Sequence, residues 1–174
     1  MDRRYQLLTD TLITEKISPL SKIYCDMDDV LVDFSGHIKD RWKKNIKDFK
    51  EWRTEIPGIE NYWENIPARK DAAQLVSFLK PFDWHILSAY AEWDPRSKAA
   101  KKVWCMKHFN IHADRVLTVV RKDKVLYATN RGKPSILIDD YDKNIKEWKE
   151  KGGIGILHTS TSNTITKLKS LGFR

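Results

Sequence analysis

Three carboxylates, Asp26, Asp28 and Asp29, follow directly on the apolar run Ile23-Tyr24-Cys25, and Asp33 comes soon after in the same stretch, IYCDMDDVLVDF. A second acidic pair, Asp139-Asp140, closes another apolar run in KPSILIDD. Carboxylates this close repel one another, so a cation, a proton or full hydration has to offset their charge. A hard cation held by oxygen ligands does this naturally. Mg²⁺ uses one or two carboxylates and completes its shell with water and substrate phosphate oxygens. The Asp26-x-Asp28 spacing suggests a second chemistry. One carboxylate can attack phosphorus and form an aspartyl-phosphate. The other can protonate the leaving alkoxide, then take a proton from the water that hydrolyses the intermediate. Their surroundings must push the two pKa values apart. A hydroxyl such as that of Ser88, together with a lysine, would hold the phosphoryl oxygens where charge spreads in the transition state.

These groups can act together only if the chain delivers them to one place. Apolar runs at residues 23–25, 83–89, 115–120, 133–140 and 153–158 read as strands. Helical patterns separate them: residues 96–109, with Val103, Trp104 and Met106 as the apolar side, then 144–151, stopped by Gly152-Gly153, then 162–171. This alternation predicts an α/β fold, a Rossmann-like three-layer sandwich with a mostly parallel sheet. Ligands of such sheets bind beyond the carboxyl ends of the strands. Asp26, Asp28, Ser88, Asp139 and Asp140 all follow strands at that edge.

Residues 35–68 break the alternation. They are rich in Trp and Lys, with a Pro57-Gly58 turn, and are predicted to form a small helical cap inserted after the first strand. Such caps close over sites and exclude water. The chain thus divides into an N-terminal helical extension over 1–21, with Leu7, Leu8, Leu12 and Ile13 at helical spacing, a core over 22–34 and 69–174, and a cap over 35–68. Phe34, Trp52 and Trp63, with Tyr62, are candidate substrate contacts in the cap, and a flat base would need such a wall. Asp33 is expected to be structural.

The 174 residues, 41% of them hydrophobic, suffice for one sizeable core. No apolar run approaches the ~18 residues of a membrane span, and the N-terminus is too polar for a secretory signal. A cytoplasmic protein is expected, with Cys25 and Cys105 as reduced, packed thiols. The net charge of +8 suits an anionic partner, whether nucleotide, phosphorylated metabolite or nucleic acid. The lysines are spread through helices rather than gathered in a tail, so nucleic acid is not favoured. The chain has no GxxxxGK[ST] loop, no GxGxxG loop and no Cys/His set at zinc spacing.

Four motifs in order resemble the haloacid dehalogenase-like phosphohydrolase superfamily: Asp26-Met27-Asp28 with Val30-Leu31, Ser88 after HIL, a lysine upstream of the last acidic strand, and Asp139-Asp140 in ILIDD. Within it, DMDDVLVDF, KKVWCMKHF, RKDKVLYA and LIDD resemble the 5'(3')-deoxyribonucleotidases, including phage-encoded ones. The resemblance implies a Mg²⁺-dependent phosphomonoesterase acting on nucleoside monophosphates. Asp26 would be the nucleophile and Asp28 the general acid/base. Ser88 and Lys124, with Lys101 as a second lysine, would bind phosphate, and Lys133 is the rival of Lys124. The metal set would be Asp26, Asp28 through its backbone carbonyl, Asp139 directly, and Asp140 through water. A homodimer is expected by the same resemblance. Asp29 stands where many relatives have Gly. The alternatives are a phosphatase of a sugar phosphate or of a nucleic-acid 3'-phosphate end, and a non-catalytic nucleotide-binding protein.

Overall fold

The computed structural model describes residues 21–47 and 50–174. In chain order they form β1 (Ile23–Cys25), α1 (Phe34–Trp42), α2 (Trp52–Glu55), α3 (Ala72–Leu79), β2 (Trp84–Ala89), α4 (Ser97–Phe109), β3 (Val116–Val119), β4 (Thr129–Asn130), β5 (Lys133–Pro134), β6 (Ile136–Asp139), α5 (Asp142–Glu150), β7 (Ile154–Leu157) and α6 (Thr161–Ser170). The helix expected over 1–21 lies, apart from Ser21, outside the described residues.

Five strands make one parallel sheet in the order β3-β2-β1-β6-β7. β1 is its centre, with Ile23 paired to Trp84 on one side and Ile136 on the other. A central parallel strand is covered on both faces, which is why Ile-Tyr-Cys is wholly buried. The strand order reverses between β1 and β6, and the crevice at such a switch point is where α/β sheets bind ligands. Asp26 stands at the tip of β1, its amide still donating to Ile138 O at 2.9 Å, and Asp139 ends β6.

Two expectations need correction. The run 133–140 is not one strand. Lys133-Pro134 pairs antiparallel with Thr129-Asn130 around Arg131 and Gly132, both at positive φ, and the parallel strand starts only at Ile136. A two-residue turn with both residues left-handed matches hairpin twist, so the TNRGKP stretch folds as a small hairpin. The apolar side assigned to α4 was also misplaced. Trp104 is buried, but Val103 and Met106 are 53% and 41% exposed. The buried stripe is Ala100, Lys101, Trp104 and Cys105, at the three-to-four spacing of a helix face. A lysine lies on that stripe because its partners lie beneath it. Both cysteines are free and buried.

Residues 35–68 leave and rejoin the core at a narrow neck. Asp33 N donates to Pro67 O at 2.9 Å, Arg69 N donates to Leu31 O at 2.8 Å, and Val32 bridges Ala68. Between the stems lie α1, α2 and a 3₁₀ turn at Ile56–Gly58. The insertion has no separate core. Phe34, Ile38, Trp52, Ile56, Tyr62 and Trp63 belong to the same apolar cluster as Ile23, Ile86 and Ile138. Among the described residues no helix is long and apolar enough to cross a membrane.

Candidate active site

Beyond the tips of β1, β2 and β6 the structure gathers Asp26, Asp28, Ser88, Lys101, Lys124 and Asp139, with Asp140 beside them. Lys124 enters from the 3₁₀ turn Arg121–Tyr127 and is 2% exposed. Its Nζ lies 3.0 Å from Asp26 Oδ2 and 2.7 Å from Asp139 Oδ2. Burial works against its charge, but the Asp26 and Asp139 carboxylates raise its pKa well above the ordinary lysine range. Lys133, the rival, sits exposed in the hairpin. Lys101, also 2% exposed, donates to Ser88 Oγ at 2.8 Å and Asp28 Oδ2 at 2.7 Å. Two buried cations from two different elements thus face the acidic edge.

The carboxylates divide between two neighbourhoods. Oxygens of Asp26, Asp139 and Asp140 lie within 4.8 Å of one another, a spacing that suits one cation. The Asp28 carboxylate is not in that group; it pairs with Lys101 instead. Burial raises Asp28 and the Asp26 and Asp29 charges add to it, while Lys101 pulls it back. Asp139 is raised by burial and by Asp26, against the pull of Lys124. Asp140, although it keeps an exposed face, is pushed up to about 8 by desolvation of its carboxyl and by the Asp26, Asp139 and Asp29 charges. Burial is the first cause in each case and the neighbouring carboxylates add to it, so these acids share a dry site crowded with negative charge. Asp26 Oδ1 is moreover buried with no hydrogen-bond partner among the described residues. A divalent cation fits both observations.

Asp29 has its own explanation. Its φ is +55°, the left-handed region that Gly enters freely and Asp tolerates. Its carboxylate accepts from Ser35 N at 2.9 Å and from the Ser35 hydroxyl. That places a negative charge at the N-terminus of α1, where the helix dipole favours it. Asp33, the residue preceding α1, makes no side-chain cap. A side chain at Gly36 would collide with the Asp33 carboxylate, so α1 closes tightly onto the neck.

The aromatic candidates pack against each other. Phe34 stacks on Trp63 at 5.8 Å and meets Trp52 edge-on at 5.5 Å, and Trp93 touches both Trp52 and Trp63. Trp63 Nε1 donates to Asp94 Oδ2 at 2.9 Å, and Arg96 clamps the same carboxylate. Among the described residues, Trp52 Nε1 and Tyr62 Oη are buried without hydrogen-bond partners.

Sequence reasoning missed the support behind Asp139. Asn144 Nδ2 donates to Asp139 Oδ2 at 2.9 Å, and Tyr141 N donates to Asp139 Oδ1 at 2.9 Å. Arg121 donates to Asn144 Oδ1 at 2.9 Å and to Glu147 Oε2 at 2.8 Å, which fixes which way the amide points. The available signal was the turn of helix that puts Asn144 five residues past Asp139. Nothing in the sequence pairs Arg121 with it. Asp94 and Trp93 were missed too, since their partners come from the distant insertion.

A parallel sheet in this order, with acids at the tips of β1 and β6 and a lysine between them, is the arrangement that the sequence resemblance implies. No protein-family model matches the chain. Among solved structures, a hydrolase from Streptococcus pneumoniae TIGR4 shares the fold with a TM-score of 0.54 at 12% identity, over 87% of this chain and all of that one (100%). A "putative haloacid dehalogenase-like hydrolase" from Burkholderia xenovorans LB400 aligns with a TM-score of 0.46 at 16% identity, over 75% of this chain and 77% of that one. A Vibrio phage KVP40 protein named "Putative 5'(3')-deoxyribonucleotidase" is 31% identical over 125 residues, 70% of this chain and 67% of that protein. The chain belongs to the family of that phage protein, the 5'(3')-deoxyribonucleotidase-like members of the haloacid dehalogenase-like superfamily, and is a phosphatase-type hydrolase.

Proposed function

We propose that the chain is a Mg²⁺-dependent phosphomonoesterase of (deoxy)nucleoside monophosphates that works through an aspartyl-phosphate on Asp26. The observation that carries this is Asp26 itself: buried at the tip of the central strand, facing Lys124, with Oδ1 unpartnered. Asp26 attacks phosphorus and the P–O bond to the nucleoside breaks. Asp28 gives its proton to the departing oxygen. A water then attacks the aspartyl-phosphate, Asp28 takes a proton from it, and inorganic phosphate leaves with Asp26 restored. Lys101, Ser88 and Lys124 hold the phosphoryl oxygens. Asp26, Asp139 and Asp140, with the backbone carbonyl of Asp28, would hold Mg²⁺. The ion supplies charge neutralisation for the carboxylates and the transferring phosphoryl group. Residues 35–68 act as the cap, and Phe34, Trp52 and Trp63 form the apolar wall beside the site. The name of the phage relative and the aromatic insertion support a nucleotide over a sugar phosphate.

The test is phosphate release from deoxy- and ribonucleoside monophosphates and sugar phosphates, with Mg²⁺ and with chelator. Mg²⁺-dependent release from nucleotides is expected. Release from sugar phosphates alone would keep the edge chemistry and discard the substrate.

A further inference from the structure

We propose that the insertion carries a second anion subsite, a groove of about 330 Å³ lined by Ser35, Lys39, Asn45, Ile46 and Lys47, which takes a further phosphate of the substrate. The proposal rests on the phosphomonoesterase reading and extends its substrate class to nucleotides carrying a second phosphate. Two compounds share that chemistry: a nucleoside 3',5'-bisphosphate and a 3'-phosphorylated oligonucleotide.

Position is the first argument. Ser35 is tied through its amide and hydroxyl to the Asp29 carboxylate, and Asp29 adjoins Asp28 in the chain. The Ser35 end of the groove is therefore joined to the Asp28-Asp29 turn. Lys39 stands one helical turn beyond Ser35 on α1, and residues four apart share a helix face. A chain of phosphates leaving the site along that face meets Lys39 next, with Lys47 also lining the groove.

Charge is the second argument. Residues 39–53 hold seven Lys or Arg (Lys39, Arg41, Lys43, Lys44, Lys47, Lys50, Arg53) against three acids, Asp40, Asp48 and Glu51. Lys39 and Lys47 are exposed and in no ion pair among the described residues, whereas the edge lysines are buried and paired. Lys101 and Lys124 already serve the phosphate being cleaved. A monophosphate gives Lys39 and Lys47 nothing to bind. A second phosphate does, and its approach to a carboxylate-rich edge needs that local positive charge. Ile46 gives the groove an apolar part that a sugar or base can rest on.

The experiment compares a deoxynucleoside 3'-monophosphate, a 3',5'-bisphosphate and a 3'-phosphorylated oligonucleotide as substrates of the wild type and of the Lys39→Glu/Lys47→Glu variant, with unfolding temperature as the control for folding. The expected result is a higher kcat/KM for the two-phosphate substrates. The advantage should fall with salt by about threefold per neutralised phosphate between roughly 50 and 200 mM. It should vanish in the double variant, with monophosphate turnover unchanged. A gain confined to the bisphosphate identifies a mononucleotide as the source; one confined to the oligonucleotide identifies a strand end. Equal kcat/KM for all three, or an advantage that survives the double variant, overturns the subsite and leaves the phosphatase reading standing. Binding of a fluorescent 3'-phosphorylated oligonucleotide to Asp26→Asn is the turnover-independent measurement. Weaker binding after adding Lys39→Glu/Lys47→Glu supports the subsite even if no substrate is hydrolysed, and unchanged binding rejects it.

Discussion

At the carboxyl edge of the sheet, the cost of gathering Asp26, Asp28 and Asp139 is met by countercharge, with an Nζ of Lys101 or Lys124 within 3.0 Å of each. Around the insertion the burden falls on rings: Trp52 and Trp63 of the insertion pack with Phe34 and Trp93 of the core, and the Asp94 carboxylate that joins them is held by Trp63 and Arg96. The carboxylates of the edge are placed by backbone register, since Asp26 and Asp28 follow β1 and Asp139 closes β6, and Lys101 and Lys124 reach them from α4 and the 3₁₀ turn. The insertion is placed by side-chain packing between segments far apart in sequence. Removing a charge should therefore damage the edge most, and removing a contact should damage the insertion most.

The largest effect expected is from Lys124→Ala. It leaves Asp26 and Asp139 buried without their cation, and breaking a buried pair costs about 3–5 kcal/mol. Urea unfolding of the metal-free protein should show that loss, and Mg²⁺ should recover part of it. No change would mean that the pair is not formed. Next is Asp94→Ala, which orphans Trp63 Nε1 and releases Arg96, for about 1–3 kcal/mol. Stability should drop while kcat on a saturating nucleotide holds. A collapse of kcat at unchanged stability would instead move Asp94 into the chemistry. Arg121→Ala is smaller in stability and is read in metal affinity. With Arg121 gone, Asn144 loses what orients its amide toward Asp139, and Mg²⁺ should bind about tenfold more weakly by calorimetry, a typical effect for a group supporting a ligand. Unchanged affinity would make the network purely structural.

The smallest effect concerns His158, buried at the end of β7 with Nδ1 2.9 Å from Thr164 Oγ1. Burial first, then Arg69, lowers its pKa below the ordinary 6.5. Above that value the folded and unfolded chains are both neutral here, and stability is insensitive to pH. As pH falls through 6.5 toward the lower folded value, only the unfolded chain takes the proton, so stability declines. His158→Gln should make that decline shallower in unfolding curves taken between pH 7.5 and 5.5, and an identical slope would contradict the shift.

The strand tips were legible from sequence because apolar runs ending in Asp or Ser carry their own punctuation, and Asp26, Ser88 and Asp139 fall where expected. The sequence could not show that Lys124 stands among the edge carboxylates while Lys133 is exposed in the hairpin at 129–134. The face of α4 was misread because Lys101, a charged residue, takes a buried position that hydropathy gives to Val103. Asn144, Arg121 and Asp94 were illegible for a common reason. A polar residue is useful in a core only through its partner, and here the partners lie elsewhere in the chain.

On this mechanism Asp26 becomes phosphorylated during turnover. Wild-type protein mixed with a nucleotide substrate and Mg²⁺, quenched in acid and digested, should yield the peptide containing Asp26 heavier by one phosphoryl group. Asp26→Asn should show neither that peptide nor phosphate release. Turnover that survives in Asp26→Asn, or a phosphoryl group found on another residue, would contradict the account.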